Sequence, residues 1–224
     1  MLEFFHILGF PVCHQFAERS FFACGIQFPV CSRCTGLLVA FAIALIFCVI
    51  LFGKKKAGIQ QKEVLFVLAL SLLPLAFDGV TSYLHIRETT NAVRFATGFL
   101  VGFAAGLALY PVMLQLIFKD ANDVPILNTA RERIIAIATC ILACPFMYLI
   151  CVETGIFGLL ISTICLLISW VSVITAFLCL IPKFQAKAKS VSDAVPFFVS
   201  GFGICIFLWG ILFAFKLIIY SLIA

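Results

Sequence analysis

Six long apolar runs, each parted from the next by a short polar stretch, occupy most of this chain. They cover roughly residues 35–53, 63–86, 93–118, 132–152, 155–181 and 194–222. A helix of that length crosses a hydrocarbon layer of about 30 Å and satisfies its own backbone polar groups while doing so. The pattern predicts an all-α, polytopic membrane protein: a six-helix transmembrane bundle (35–224) behind a Cys/His-rich segment (1–34). The first twelve residues are apolar as well. Their one charge is Glu3, with no basic stretch before it, so they read as interfacial or re-entrant rather than as a secretory signal.

Composition agrees with the pattern. Of 224 residues, 64% are apolar and 11% charged, against about 25% charged in a soluble domain. The net charge of +5 is not a nucleic-acid footprint, because the basic residues sit in short loops between apolar runs. The first, third and fifth loops hold Lys54, Lys55, Lys56, Lys62, Lys119, Arg131, Arg133, Lys183, Lys187 and Lys189. The opposite side holds Arg19, Arg33, Arg87 and Arg94, while Lys216 lies within the last run and is free to snorkel outward. The positive-inside rule then places both termini, and the Cys-rich segment, outside the cytoplasm of a cell membrane.

Within the third run Gly98, Gly102 and Gly106 recur every four residues. Such a ridge lets two helices in lipid approach closely, and packing is the reading given to it.

The candidate chemistry gathers at the outer end. Cys13, Cys24, Cys31 and Cys34 precede the first run, two of them as Cys-x-x-Cys. That spacing suits a metal clamp, a dithiol–disulfide couple or plain structural disulfides. Cys13-His14 upstream favours the metal, with Cys13, His14, Cys31 and Cys34 as ligands of zinc or another transition metal and His85 as an alternative fourth. Adjacent Cys and His side chains diverge, however, so His14 is open to another role. The remaining cysteines, Cys48, Cys140, Cys144, Cys151, Cys165, Cys179 and Cys205, fall in the apolar runs and read as packing.

The second run carries Asp78, Thr81, Ser82 and His85 on one helical face, and the third opens with Asn91, Arg94 and Thr97. An ionisable residue in lipid is a site candidate by default. Asp78, Arg94, His85 and Glu18 are therefore the candidate catalytic residues, and the bland alternative is an Asp78–Arg94 ion pair that locks two helices. Arg19, Arg33, Ser20 and Asn91 are candidates for binding an anionic headgroup or a quinone oxygen, arginine being the fork that matches such oxygens. No P-loop, dinucleotide fingerprint, nucleophile elbow or His-Glu-x-x-His motif occurs.

Cys13-His14-Gln15, Arg19-Ser20-Phe21 and Phe28-Pro29-Val30-Cys31-Ser32-Arg33-Cys34-Thr35-Gly36 resemble the signature of a family of prokaryotic membrane proteins, the domain-of-unknown-function family 2085. Asp78-Gly79, Asn91, Arg94 and Thr97-Gly98 are similar to its later motifs. The resemblance runs to about residue 110; it implies an integral membrane protein and adds neither cofactor nor reaction.

Three functions remain. The leading one is a metal-dependent membrane enzyme whose Cys/His site stands next to an Asp/Arg-lined cavity and acts on a lipid-linked or anionic substrate. The second is a quinone-coupled thiol-disulfide oxidoreductase. The third is a carrier or scramblase for an anionic lipid.

Overall fold

The structure, a computed structural model, describes residues 2–58 and 61–223; Met1 and Ala224, the outer limits of the two predicted regions, lie outside them. A short helix α1 (Leu2–Gly9) leads into a loop and a hairpin of β1 (Phe22–Ala23) and β2 (Ile26–Gln27). Then come α2 (Ser32–Leu51), α3 (Gln61–Tyr83), α4 (Asn91–Ile117), α5 (Ala130–Glu153), α6 (Ile156–Cys179) and α7 (Val191–Ile223). The last six are each long and apolar enough to span a membrane, so the chain is an all-α, multi-pass membrane protein. Periodicity overran α3 at one end. The helix stops at Tyr83, and His85 turns away in the left-handed region at φ 56°.

The centre of the bundle is the crossing of α2 and α4. A Cβ added at Gly98 would lie 2.1 Å from the carbonyl oxygen of Arg33, and one at Gly102 would lie 1.9 Å from that of Leu37. The glycine ridge therefore packs backbone on backbone. It also holds the first turn of α2 against the start of α4, where the candidate residues lie. Helices α3, α5 and α7 present mostly exposed side chains, as expected of the bundle's lipid-facing rim.

The loops sort by face. Ala57 and Gly58, after α2, donate to Asn122 and Val124, after α4. Lys119 donates to Ala188, after α6. The lysine-rich first, third and fifth loops thus share one face. The N-terminal segment shares the other with the α3–α4 and α5–α6 turns: Asn91 Nδ2 donates to the carbonyl of Ser20 at 3.3 Å, and Cys24 approaches Gly155.

That N-terminal segment is a folded cap. Cys24 and Gly25 form the hairpin tip with φ of 51° and 79°, the left-handed pair a two-residue hairpin requires. Phe21 anchors the hairpin among Phe28, Phe95 and Tyr148 at ring distances of 5.7, 6.0 and 5.8 Å. Gln15 ties the loop together, its Nε2 donating to the carbonyls of His6 and Pro29, both at 2.7 Å. Helix α7 grips the cap from outside. Trp209 Nε1 donates to the Leu8 carbonyl at 2.6 Å, and Lys216 Nζ donates to the carbonyls of Phe10 and Cys13.

Candidate functional site

Cys31 is the N-cap of α2, in extended backbone, and Cys34 stands three residues on, so both thiols leave the same side of the helix start. Cys13 reaches them from the cap loop. The three Sγ atoms all lie within 4.8 Å of one another. Tetrahedral zinc, about 2.3 Å from each sulfur, sets thiolates about 3.8 Å apart, a spacing within that limit. Cys13 Sγ accepts the N–H of Cys31 at 3.3 Å and that of Gln15 at 3.5 Å, at the positive end of the α2 dipole. The thiols of Cys31 and Cys34, with these amides, hold the Cys13 thiol well below its usual range. The hydrogen bond to Cys13, with burial and then the charge on Cys13, raises the Cys31 thiol.

Among the described residues no fourth ligand joins the triangle. His14 points away, exposed and stacked on Phe16 at 5.9 Å, as the divergence of neighbouring side chains requires. His85 is exposed in its turn. Cys24 is exposed at the hairpin tip.

The other side of the same helix turn is polar. Asp78 on α3, 1% exposed, accepts from Arg33 of α2 and, at 2.9 Å, from Arg87 of the α3–α4 turn. Arg94 is not its partner. Nη1 of Arg94 donates to Asn91 Oδ1 at 3.2 Å and Nη2 to Ser82 Oγ at 3.4 Å, and it forms no ion pair among the described residues. An Asp–Arg lock between helices therefore exists, but it joins α3 to α2 through Arg33. Ser32 Oγ bridges the Arg19 carbonyl at 2.9 Å and Asn91 at 3.1 Å. Arg19 lies over the rings of Phe16 and Tyr83 at 5.3 and 4.9 Å, with Glu18, itself exposed, at 3.8 Å. Ser20 is buried, its hydroxyl donating to the Phe16 carbonyl at 2.8 Å and accepting from Gln27.

The structure thus gathers Cys13, Cys31 and Cys34 on one side of the α2 start, and Asp78, Arg33, Asn91 and Arg94 on the other. The sequence places Ser82 on the face of Asp78, Gln15 in the motif shared with the family and Lys216 within the last apolar run, but it does not reveal the partners these three and Arg87 take in the fold. A separate apolar cavity of about 330 Å³ lies between α3, α4 and α5, with Val67, Leu100, Leu107 and Ile137 among its walls; Asp78 and Arg94 do not line it.

Residues 13–108, from Cys13 through most of α4, match the family described as "Predicted membrane protein (DUF2085)". An uncharacterised protein of Methanocaldococcus jannaschii is 33% identical over 108 residues, which is 48% of this chain and 67% of that one. Another, from Methanothermobacter thermautotrophicus, is 36% identical over 104 residues, 46% of this chain and 87% of that one. No solved structure matches the chain significantly. Both archaeal proteins align with about half of this chain and most of their own length, and this chain belongs to the DUF2085 family of predicted membrane proteins.

Proposed function

We propose that this protein holds a soft divalent metal ion, of the zinc kind, on Cys13, Cys31 and Cys34, and uses that end of the bundle to act on an anionic or lipid-linked substrate. The observation that carries the reading is the triangle of three sulfurs within 4.8 Å, in which the Cys31 and Cys34 thiols and two backbone N–H groups favour the thiolate of Cys13. Three protein ligands with an open fourth position are the arrangement of catalytic rather than structural zinc. A bound ion there supplies Lewis acidity or an activated water. The protein's own residues do the rest. Asp78 positions Arg33 and Arg87, Asn91 links the cap to α4, and the arginines supply positive charge one helix face away from the thiols. A disulfide relay fits less well, since pairing any two of the three thiols leaves the third alone and Cys24 stands apart.

The positive-inside rule puts this end outside the cytoplasm, in keeping with the lysine-rich loops sharing the opposite face. Elemental analysis of detergent-purified protein tests the reading, wild type beside Cys31→Ser/Cys34→Ser, with free thiols counted in parallel. One zinc-type ion per chain, lost in the variant, supports it. No metal, with the three thiols oxidised or free, overturns it.

A further inference from the structure

Beside the thiols the protein carries more positive charge than it neutralises. Asp78 accepts from both Arg33 and Arg87, and Arg94 lies within electrostatic reach of Asp78, Arg33 and Arg19. Arg19 has its own acid in Glu18. On the arginine face three guanidiniums therefore stand with one carboxylate, an excess of two positive charges there, with the Cys13 thiolate on the other face of the α2 start. Arg94 is 9% exposed and, among the described residues, bonded only to neutral oxygens, at 3.2 and 3.4 Å. A buried guanidinium without a counter-charge is costly. Two polar atoms of these same segments are also buried without a partner among the described residues. One is Arg33 Nε, on the side chain that already grips Asp78; the other is Thr89 Oγ1, two residues past Arg87. An N–H donor and a hydroxyl left over beside excess guanidinium charge match a ligand that is anionic and rich in acceptor oxygens.

We infer that Arg33, Arg87 and Arg94, with Thr89, bind a phosphate monoester group, either free or at the head of a membrane lipid. This deepens the reading of that end of the bundle as a substrate site by naming the substrate's chemical class. Charge decides between phosphate types. A monoester carries about −1.5 to −2 at neutral pH and offers three terminal oxygens, which answers an excess of two. A phosphodiester carries a single charge and answers half of it. The guanidinium fork pairs with two such oxygens at once.

The test uses full-length protein in nanodiscs of phosphatidylcholine doped with phosphatidic acid or, at equal fraction, with phosphatidylglycerol. Retained lipid is read by native mass spectrometry, and inorganic phosphate is added as competitor. The expected result is enrichment of phosphatidic acid over phosphatidylglycerol, weakened about tenfold or more by Arg87→Gln. Arg87 is exposed, so that variant keeps its fold, and Arg94→Lys, which keeps the charge but loses the fork, gives the second reading. Displacement by inorganic phosphate assigns the site to a free phosphate compound, and resistance to it assigns a lipid headgroup. Equal retention of the two lipids without phosphate competition overturns the inference, as does undiminished binding in both arginine variants. Zinc measured in the same samples separates the two proposals. Metal without phosphate selectivity sinks this one alone, and phosphate selectivity in metal-free wild type sinks the metal reading alone.

Discussion

Arg33 donates to Asp78 across the bundle, so the residue between the two Cys-x-x-Cys thiols is fixed by a buried carboxylate of α3. The thiol face and the arginine face of the α2 start are thereby set relative to each other. Asp78→Asn leaves Arg33 without its counter-ion. Removing one partner of a buried pair costs about 3–5 kcal/mol, and the lower figure applies because Arg87 is 44% exposed at its side chain and water compensates it. Thermal unfolding in detergent should show a clear fall for Asp78→Asn and a small one for Arg87→Gln. Equal, small effects would mean that the lock contributes little.

The α2–α4 crossing makes a second prediction. Gly102→Ala places a methyl 1.9 Å from the Leu37 carbonyl oxygen, and backbone cannot step aside as a side-chain tip can. Overpacking of this kind costs about 1–3 kcal/mol. Gly203→Ala and Gly210→Ala, where a Cβ meets nothing within 4 Å, should leave the unfolding midpoint in place. If Gly102→Ala matches these two, the close crossing is absent in the membrane.

Sidedness is open to chemical labelling. Cys24 is exposed at the hairpin tip, and Lys187 is exposed on the opposite face. In intact cells a membrane-impermeant maleimide should modify Cys24 in the wild type. With Cys24→Ser as background, Lys187→Cys should react only after lysis. The reverse order would turn the molecule over and place the thiol triangle in the cytoplasm.

What the sequence made legible follows from where the constraint acts. Hydrocarbon thickness dictates run length, and close backbone approach dictates small residues every fourth position, so the spans and the role of Gly98 and Gly102 were readable locally. The Cys31–Cys34 pair was readable for the same reason, being one turn of one helix. That Cys13 completes the triangle depends on Gly9 lying against the Pro29 carbonyl and on the two bonds of Gln15, which no periodicity encodes. Asp78 was legible as a buried acid, but its partner was not. Arg87 and Arg94 are both nearer along the helix hairpin, and Arg87 is indeed the second partner, whereas Arg33 arrives through the glycine crossing of a different pair of helices. His85 fell off its predicted face because α3 ends two residues earlier, at Tyr83.

Lys216 carries the last prediction. Its ammonium donates to the Phe10 and Cys13 carbonyls and lies 4.0 Å from the centre of the Phe10 ring, so α7 holds the loop that delivers Cys13 to the other thiols. Lys216→Met keeps an apolar stem of similar length and removes the donors. Bonds from a charged donor are worth about 1.5–3 kcal/mol each, and supports behind a metal ligand typically cost about 10–100-fold in metal affinity when lost. With zinc loaded, a chelator should strip the variant at least about tenfold faster than the wild type, while the α2–α4 crossing, held by its own glycine contacts, keeps the unfolding midpoint nearly unchanged. A midpoint that falls together with zinc retention would make Lys216 a general staple of the cap. Unaltered zinc release would show that the Cys13 loop holds its place without α7.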